Sequence, residues 1–489
     1  MKSPVILVWF RNDLRLHDQE PLYKALQKKA IVIPVYCFDI RQFKPTFLGF
    51  PKTNYLRANF LIESVKDLRK NLQKLGSNLV VRVGIPEVEV SQLARELQVN
   101  SVYCSQEVTQ EEIEVEQKLE YNLAKHNITL KTFWTSTLFH IEDLPFPICK
   151  IPDVFTQFRK ECERICPVRP TFATPTKLPA LPQNIEIGEI PTLKKLGLNP
   201  PTSIHYLPKN TDHLMIWKGG ESEALAHLNE YLWEKKLLHT YKETRNGLLG
   251  KKYSSKLSAW LALGCISVRY VYEQVQEYEK QIKKNESTYW LIFELIWRDY
   301  FRFIAKKYKN AIFKPHGIKP NKELKLQENT QIFQKWINGQ TGIPFIDANM
   351  RELQATGFMS NRGRQNVASF LVKDLHINWI WGAMYFESQL IDYDVCSNWG
   401  NWTYVAGVGN DPRENRYFNI LKQAKQYDPK GEYVKFWLPE LAKLPANLVH
   451  TPYALNLQEQ KQYDVILGAD YPTPIVQPEK WEKDYVPSK

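Results

Sequence analysis

The apolar pattern of this chain changes its period once, and that change limits the folds open to it. From residue 5 to residue 134, short β-branched runs (VILVWF at 5–10, IVIPVYCF at 31–38, NLVVRV at 78–83, VNSVYC at 99–104 and ITLKTFW at 128–134) alternate with longer stretches of helical apolar spacing. That alternation builds a parallel sheet whose crossover helices cover both faces. Beyond about residue 215 the strand-like runs stop: SEALAHLNEYLWEKKL, YWLIFELIWRDYFRFIAKKY and QNVASFLVKDLHINWIWGAMYFESQLID all repeat at helical spacing. Between the two patterns, from Pro145 to Pro208, lie 12 of the chain's 30 prolines. Such a density forbids long helices and reads as an extended connector draped over the surface, with room for one local helix at VFTQFRKECERIC. The expected fold class is α/β plus all-α. A doubly wound parallel-sheet (Rossmann-like) domain covers residues 1–140, a proline-rich connector 141–214 and a helical domain 215–489.

Ligands of doubly wound sheets sit at the carboxyl ends of the strands, which points to WFRNDLRLHD after the first run. Asp18 there is placed to cap a helix running through Leu22 and Leu26, with Pro21 in its first turn. The segment holds no glycine, and neither G-x-G-x-x-G there nor G-x-x-x-x-G-K-[ST] anywhere is present. A nicotinamide-type fingerprint and a P-loop are therefore excluded.

Composition narrows the rest. A hydrophobic fraction of 43% and a charged fraction of 24% exclude disordered and low-complexity classes. Seven cysteines without a CxxC pair suggest reduced thiols and neither a disulfide framework nor a metal site. The apolar run before Arg11 falls short of a signal-peptide core of ~7 to 15 residues or a membrane span of ~20, so a soluble, cytoplasmic protein is expected. The net charge of +12, with no basic tail to carry it, is expected on a folded face and either favours a polyanionic partner or simply keeps the protein soluble.

Four segments of the helical part carry chemistry. In YKETRNGLLGKKYSSKLSAWLALG, Arg245, Lys251, Lys252 and Lys256 surround a loop ending in Ser254 and Ser255, which either cap the next helix or help its amides bind a phosphate. In FELIWRDYF, Glu294 and Arg298 stand four apart in an apolar helix, either as an ion pair or with the carboxyl aimed at a ligand. SNRGRQN sets Asn361, Arg362, Arg364 and Gln365 before an apolar helix, as a basic cap or as a contact for an anion or a base edge. LIDYDVCSNWGNWTY holds Asp392, Asp394 and Asn398 among tryptophans. A calcium loop from Asp392 would need Gly and Glu where Ser397 and Thr403 stand, so calcium is excluded, and Arg364 is the natural partner of the carboxylates. Twelve of the 14 tryptophans fall in this half, as core or as electron carriers.

In this order and at these spacings, the segments together resemble the photolyase/cryptochrome family over nearly the whole chain, and SNRGRQNVASFLVKDL is most similar to the DASH cryptochromes. The resemblance implies FAD held in a folded conformation in the helical domain, which needs no G-x-G-x-x-G. Tyr241 and the Ser254, Ser255, Lys256, Leu257 and Ser258 stretch would meet the phosphates. Arg298 and Arg364 would line the flavin, Asp392 and Asp394 would pair with Arg364 or accept from the ring, and Asn398 would face the redox-active nitrogen. Trp402, Trp379 and Trp336 match the family's electron relay from flavin to surface. Glu294, Trp297, Asn361, Gln365 and Tyr404 match a pocket for a flipped pyrimidine dimer, and Arg362 falls on the expected DNA face.

Gln365 stands where many duplex-acting members carry Met, and Tyr404 where a second Trp is common. Both weaken the apolar clamp on a flipped dimer and fit repair of single strands. Many members also hold an antenna pigment between the domains, typically a folate such as methenyltetrahydrofolate, and Glu107 falls near that segment. The implied function is a blue-light-absorbing FAD protein that binds DNA, acting as photoreceptor and as photolyase on cyclobutane pyrimidine dimers in single strands. The rivals are a light sensor that binds DNA without repairing it and a thermal electron-transfer flavoprotein whose tryptophans are only core.

Overall fold

The structure is a computed structural model and describes residues 3–201, 208, 211, 213–413 and 416–482. Five parallel strands, β1 (Val5–Phe10), β2 (Ile31–Asp39), β3 (Val80–Gly84), β4 (Ser101–Ser105) and β5 (Thr129–Phe133), form one sheet in the order β3-β2-β1-β4-β5. β1 is central, pairing Val5 with Ile31 on one side and Ile6 with Ser101 on the other. Helices α1 (Glu20–Gln27), α2 (Tyr55–Lys74), α3 (Pro86–Glu96) and α4 (Gln110–Ala124) connect the strands. They split the apolar residues between two cores: Leu7, Ile33 and Val102 pack with α3 and α4, whereas Ile6, Val8 and Phe10 join a second core continuous with the helical domain.

The connector contains one α-helix among its described residues, α5 (Phe155–Ile165), where an apolar stripe of Phe155, Phe158 and Cys162 is buried. The rest of its described residues are irregular, with three short 3-10 turns, and pack in part along the sheet domain: Val81 of the edge strand β3 donates its N–H to Ile187 O at 2.7 Å, and Arg69 reaches Gly188 O at 2.8 Å. Part of the expected connector, within 202–212, lies outside the described residues.

Asp18 does not cap α1. Gln19 occupies the cap position without a side-chain bond, and Asp18, at φ 46°, is fully buried in a junction with the helical domain. Arg269 donates to both Asp18 oxygens, at 2.5 and 3.0 Å, and Phe172 N–H adds a third bond at 3.0 Å. Beside it, Ser267 N–H donates to His17 Nε2 at 3.0 Å, which places the ring proton on Nδ1, facing Glu221. Glu221 also accepts the N–H groups of Leu16 and His17 at 3.0 and 2.9 Å. Gly264, at φ +62°, closes the junction, because a Cβ there would stand 2.1 Å from Asn12 O. The loop after β1, where a sheet ligand was expected, is thus filled by the helical domain.

Candidate functional site

The helical domain surrounds a cavity of about 520 Å³, within the usual range of cofactor pockets. Its wall brings together Tyr241, Ser254, Ser255, Lys256, Leu257, Ser258, Arg298, Arg364, Asp392, Asp394 and Asn398 with Glu294, Trp297, Asn361, Gln365, Tyr404 and Trp402. Trp336, Trp379 and Arg362 stand outside this lining.

Ser254 and Ser255 do not cap the following helix, Ser258–Ala262, whose cap position is Leu257 with no side-chain bond. They sit in an irregular loop that turns through Lys256 at φ +51° and sets its ammonium 3.6 Å from the centre of the Tyr253 ring. Burial, with Arg364 adding to it and Glu352 opposing it, lowers Lys256 to about 7. Behind it, burial raises Glu352 to about 7 against the Tyr433 hydroxyl, which donates at 2.7 Å. Tyr253 also lines the cavity, and its buried hydroxyl has no partner among the described residues. A costly cation on the wall of an open space suits an anionic ligand such as a diphosphate.

Arg364 donates from one nitrogen to both oxygens of Asp392, at 2.9 and 2.7 Å, the pairing expected from sequence. Asp394 turns to other arginines than Arg364: it pairs with Arg302 at 2.9 Å and with Arg298 at 4.0 Å. Its other oxygen caps the Val395–Ala406 helix by accepting Ser397 N–H at 2.8 Å. Burial alone would raise this carboxyl, but Arg302 and Arg298 overcome it and hold Asp394 down at about 2. Asn398, on the same helix, donates its amide to Ala383 O at 3.1 Å, leaving its carbonyl oxygen outside that bond.

Glu294 and Arg298 share the Glu286–Tyr308 helix but do not pair. Arg298 binds Ser136 O, while Glu294 meets Arg245 at 2.6 Å. Burial raises the Glu294 carboxyl, opposed by Arg245. Trp297 and Tyr404 meet edge to face, 6.2 Å between centres and 89° between planes, forming a corner. Phe155 of the connector stacks behind Trp297 at 3.6 Å. Gln365 accepts from Arg362 at 2.9 Å, and Arg362 also reaches Asn246 at 3.1 Å and lies over the Tyr427 ring at 4.4 Å.

The three relay tryptophans are all buried, at 2% exposure for Trp402 and 0% for Trp336 and Trp379. This corrects the expectation that they run to the surface. Trp402 meets Trp336 at 6.4 Å, whereas Trp379 meets Trp399 at 5.9 Å and donates its ring N–H to Pro315 O. Gly382 permits the packing, since a Cβ there would lie 2.2 Å from the Trp402 ring. Glu107 is also already engaged: its oxygens accept from Arg302 at 2.9 Å and Asn12 at 3.3 Å, and it is 5% exposed. Sequence reading missed Arg302, whose only signal is one more charge, after Glu294, Arg298 and Asp299, on an apolar helix.

The arrangement is a two-domain protein whose helical half holds an anion-ready, tryptophan-walled cofactor pocket. Comparisons agree: residues 6–182 match the family model "DNA photolyase" and residues 290–486 the model "FAD binding domain of DNA photolyase". The chain is 56% identical over 476 residues to a Cryptochrome DASH of Gloeobacter violaceus, covering 97% of this chain and 94% of that protein. It superposes on the crystal structure of a Synechocystis sp. cryptochrome with a TM-score of 0.93 at 50% identity, over 99% of each chain. A class III photolyase from Agrobacterium tumefaciens gives 0.85 at 28% identity, over 99% of this chain and 96% of that one. The chain belongs to the photolyase/cryptochrome family, in its DASH branch. Among the described residues, no helix is long and apolar enough to cross a membrane.

Proposed function

We propose that this chain is a blue-light-driven flavoprotein that binds DNA and repairs cyclobutane pyrimidine dimers in single strands, while also serving as a photoreceptor. FAD, when bound, would supply the light-driven one-electron chemistry that splitting a dimer requires. The residues of the chain do the rest. Lys256 and the Ser254–Ser258 loop hold the diphosphate, and the Arg364–Asp392 pair and the Arg302-held Asp394 orient the flavin end. Asn398 presents its carbonyl to the ring, and Trp402 begins the electron path. Trp297 and Tyr404 offer a corner against which an extruded dimer stacks. Glu294, its carboxyl raised by burial and opposed by Arg245, is the polar group that would meet the carbonyl groups of the lesion.

The observation that carries this reading is the shared wall: the anion-ready residues and the Glu294–Trp297–Tyr404 corner line one cavity, so donor and lesion would sit in contact. Gln365 and Tyr404 replace a more apolar clamp, which favours strands whose bases are already unpaired. A folate antenna is not part of the proposal at Glu107, whose carboxylate Arg302 and Asn12 occupy.

The test is blue-light repair of UV-irradiated oligothymidylate, single-stranded and duplex in parallel, with Glu294→Ala alongside. The expected result is repair of the single strand, little repair of the duplex, and a rate reduced at least tenfold in the variant. Failure to repair either substrate while FAD is bound and photoreduced would overturn the lyase reading. It would leave the second reading, a DNA-binding light sensor, which the 2.6 Å Arg245–Glu294 pair favours because it closes off the pocket's carboxyl.

A further inference from the structure

Three buried ionic side chains run in a line from the sheet domain to the cavity. Glu107 follows β4, Arg302 lies on the Glu286–Tyr308 helix, and Asp394 caps the helix that carries Asn398 and Trp402. One guanidinium nitrogen of Arg302 stands 2.9 Å from Glu107 Oε2 and the other 2.9 Å from Asp394 Oδ2, with side-chain exposures of 4%, 5% and 8%. Each carboxylate is fixed at its far oxygen as well, Glu107 by Asn12 and Asp394 by Ser397 N–H, while Arg298 stands 4.0 Å from the Asp394 oxygen that Arg302 meets. Next to Glu107, the Glu116–Arg11 ion pair accepts the Glu107 N–H at 2.9 Å through Glu116. Only Asp394 of the three lines the cavity.

An arginine shared by two carboxylates gives each less than its full charge, and in a buried setting that division reaches farther than it would in water. We infer that Glu107 is a positioning residue for the flavin site, setting through Arg302 the orientation and effective charge of Asp394 from across the domain boundary. The inference rests on FAD occupying the cavity. Reduction adds negative charge to the flavin, and charge close to the ring tunes its electronics. Removing the Glu107 charge leaves Arg302 wholly to Asp394 and makes the surroundings of the ring more positive, so the reduced flavin is favoured.

The experiment measures the flavin midpoint potential of FAD-loaded full-length protein, unmodified and as Glu107→Gln, with FAD stoichiometry and thermal unfolding alongside. The expected result is a positive shift in Glu107→Gln at unchanged stoichiometry. Glu107→Asp keeps the charge but withdraws it from Arg302, gives a smaller shift of the same sign, and serves if the Gln variant does not fold. Glu189→Gln, at a side chain 84% exposed, leaves the potential where it was. An unmoved potential in both Glu107 variants, with only the melting temperature lowered, would reduce the chain of charges to a structural tie and overturn the inference. Failure of the unmodified protein to take up FAD would instead overturn the reading of the cavity on which it stands.

Discussion

Two buried polar regions of this molecule are built in opposite ways. The junction around Asp18, His17 and Glu221 is saturated, Asp18 meeting Arg269 and one backbone N–H, and Glu221 a ring N–H and two backbone N–H groups. The cavity wall is left incomplete, with the Tyr253 hydroxyl unpartnered among the described residues and the Lys256 charge held at a penalty. Both regions bury comparable chemistry, and only the second has capacity to spare. Polar groups that satisfy one another fix a shape, whereas polar groups kept wanting wait for a ligand.

That contrast breaks most visibly at Asp18. Asp18→Ala strands a buried guanidinium, and thermal or denaturant unfolding is expected to register a loss of about 3 to 5 kcal/mol, with FAD still bound below the lowered melting temperature. Loss of FAD at temperatures where the chain stays folded would show that the junction serves the pocket directly.

Lys256→Met sharpens the other side. FAD affinity should fall about tenfold, or ~1.4 kcal/mol, while the flavin-free protein is no less stable, since the charge removed is one that burial disfavours. The pH dependence follows the same sign. Lys256 titrates at about 7 when folded against 10.5 for a free lysine, so between those values the unfolded chain binds more protons. Stability of the flavin-free protein therefore rises with pH across that window, and the rise is flattened in Lys256→Met. Flavin affinity runs the other way, falling as pH increases through about 7 and the ammonium is lost. Calorimetry and flavin fluorescence across the range distinguish the two slopes.

Asp394 gives a smaller acid-side effect. Held at about 2 against 3.8 for a free aspartate, it contributes about 2 kcal/mol that is fully present above pH 4 and lost as pH falls through about 2. Acid unfolding of Asp394→Asn should lack that component. The smallest effect expected is outside the cavity lining: Arg362→Ala should weaken binding of single-stranded DNA and lower its salt slope by about one, leaving FAD in place. An unchanged slope would move the DNA face elsewhere.

The strands were legible because β-branched runs are local, and each observed strand lies within two residues of its expected run. The Arg364–Asp392 pair was legible too, as opposite charges that needed each other in an apolar setting. What escaped was set by distant partners. Asp18 looks like a helix cap from its neighbours, yet its partner Arg269 is 251 residues away. Glu107 is 195 residues from Arg302, and nothing in either segment announces the other. The spacing of Trp336 and Trp379 says nothing of how deep the surrounding helices bury them.

The same separation bears on the order in which the chain is made. The sheet's last strand ends at Phe133, so its strands leave the ribosome well before Gly264, Ser267 and Arg269 exist. Until then Asp18, His17 and the Leu16 amide are solvated by water. The domain made first is therefore unfinished at one loop, and synthesis of the second half completes it through Glu221, Ser267 and Arg269. A sheet domain cut off after the connector would carry that loop open, and adding the helical half in trans would be the way to close it.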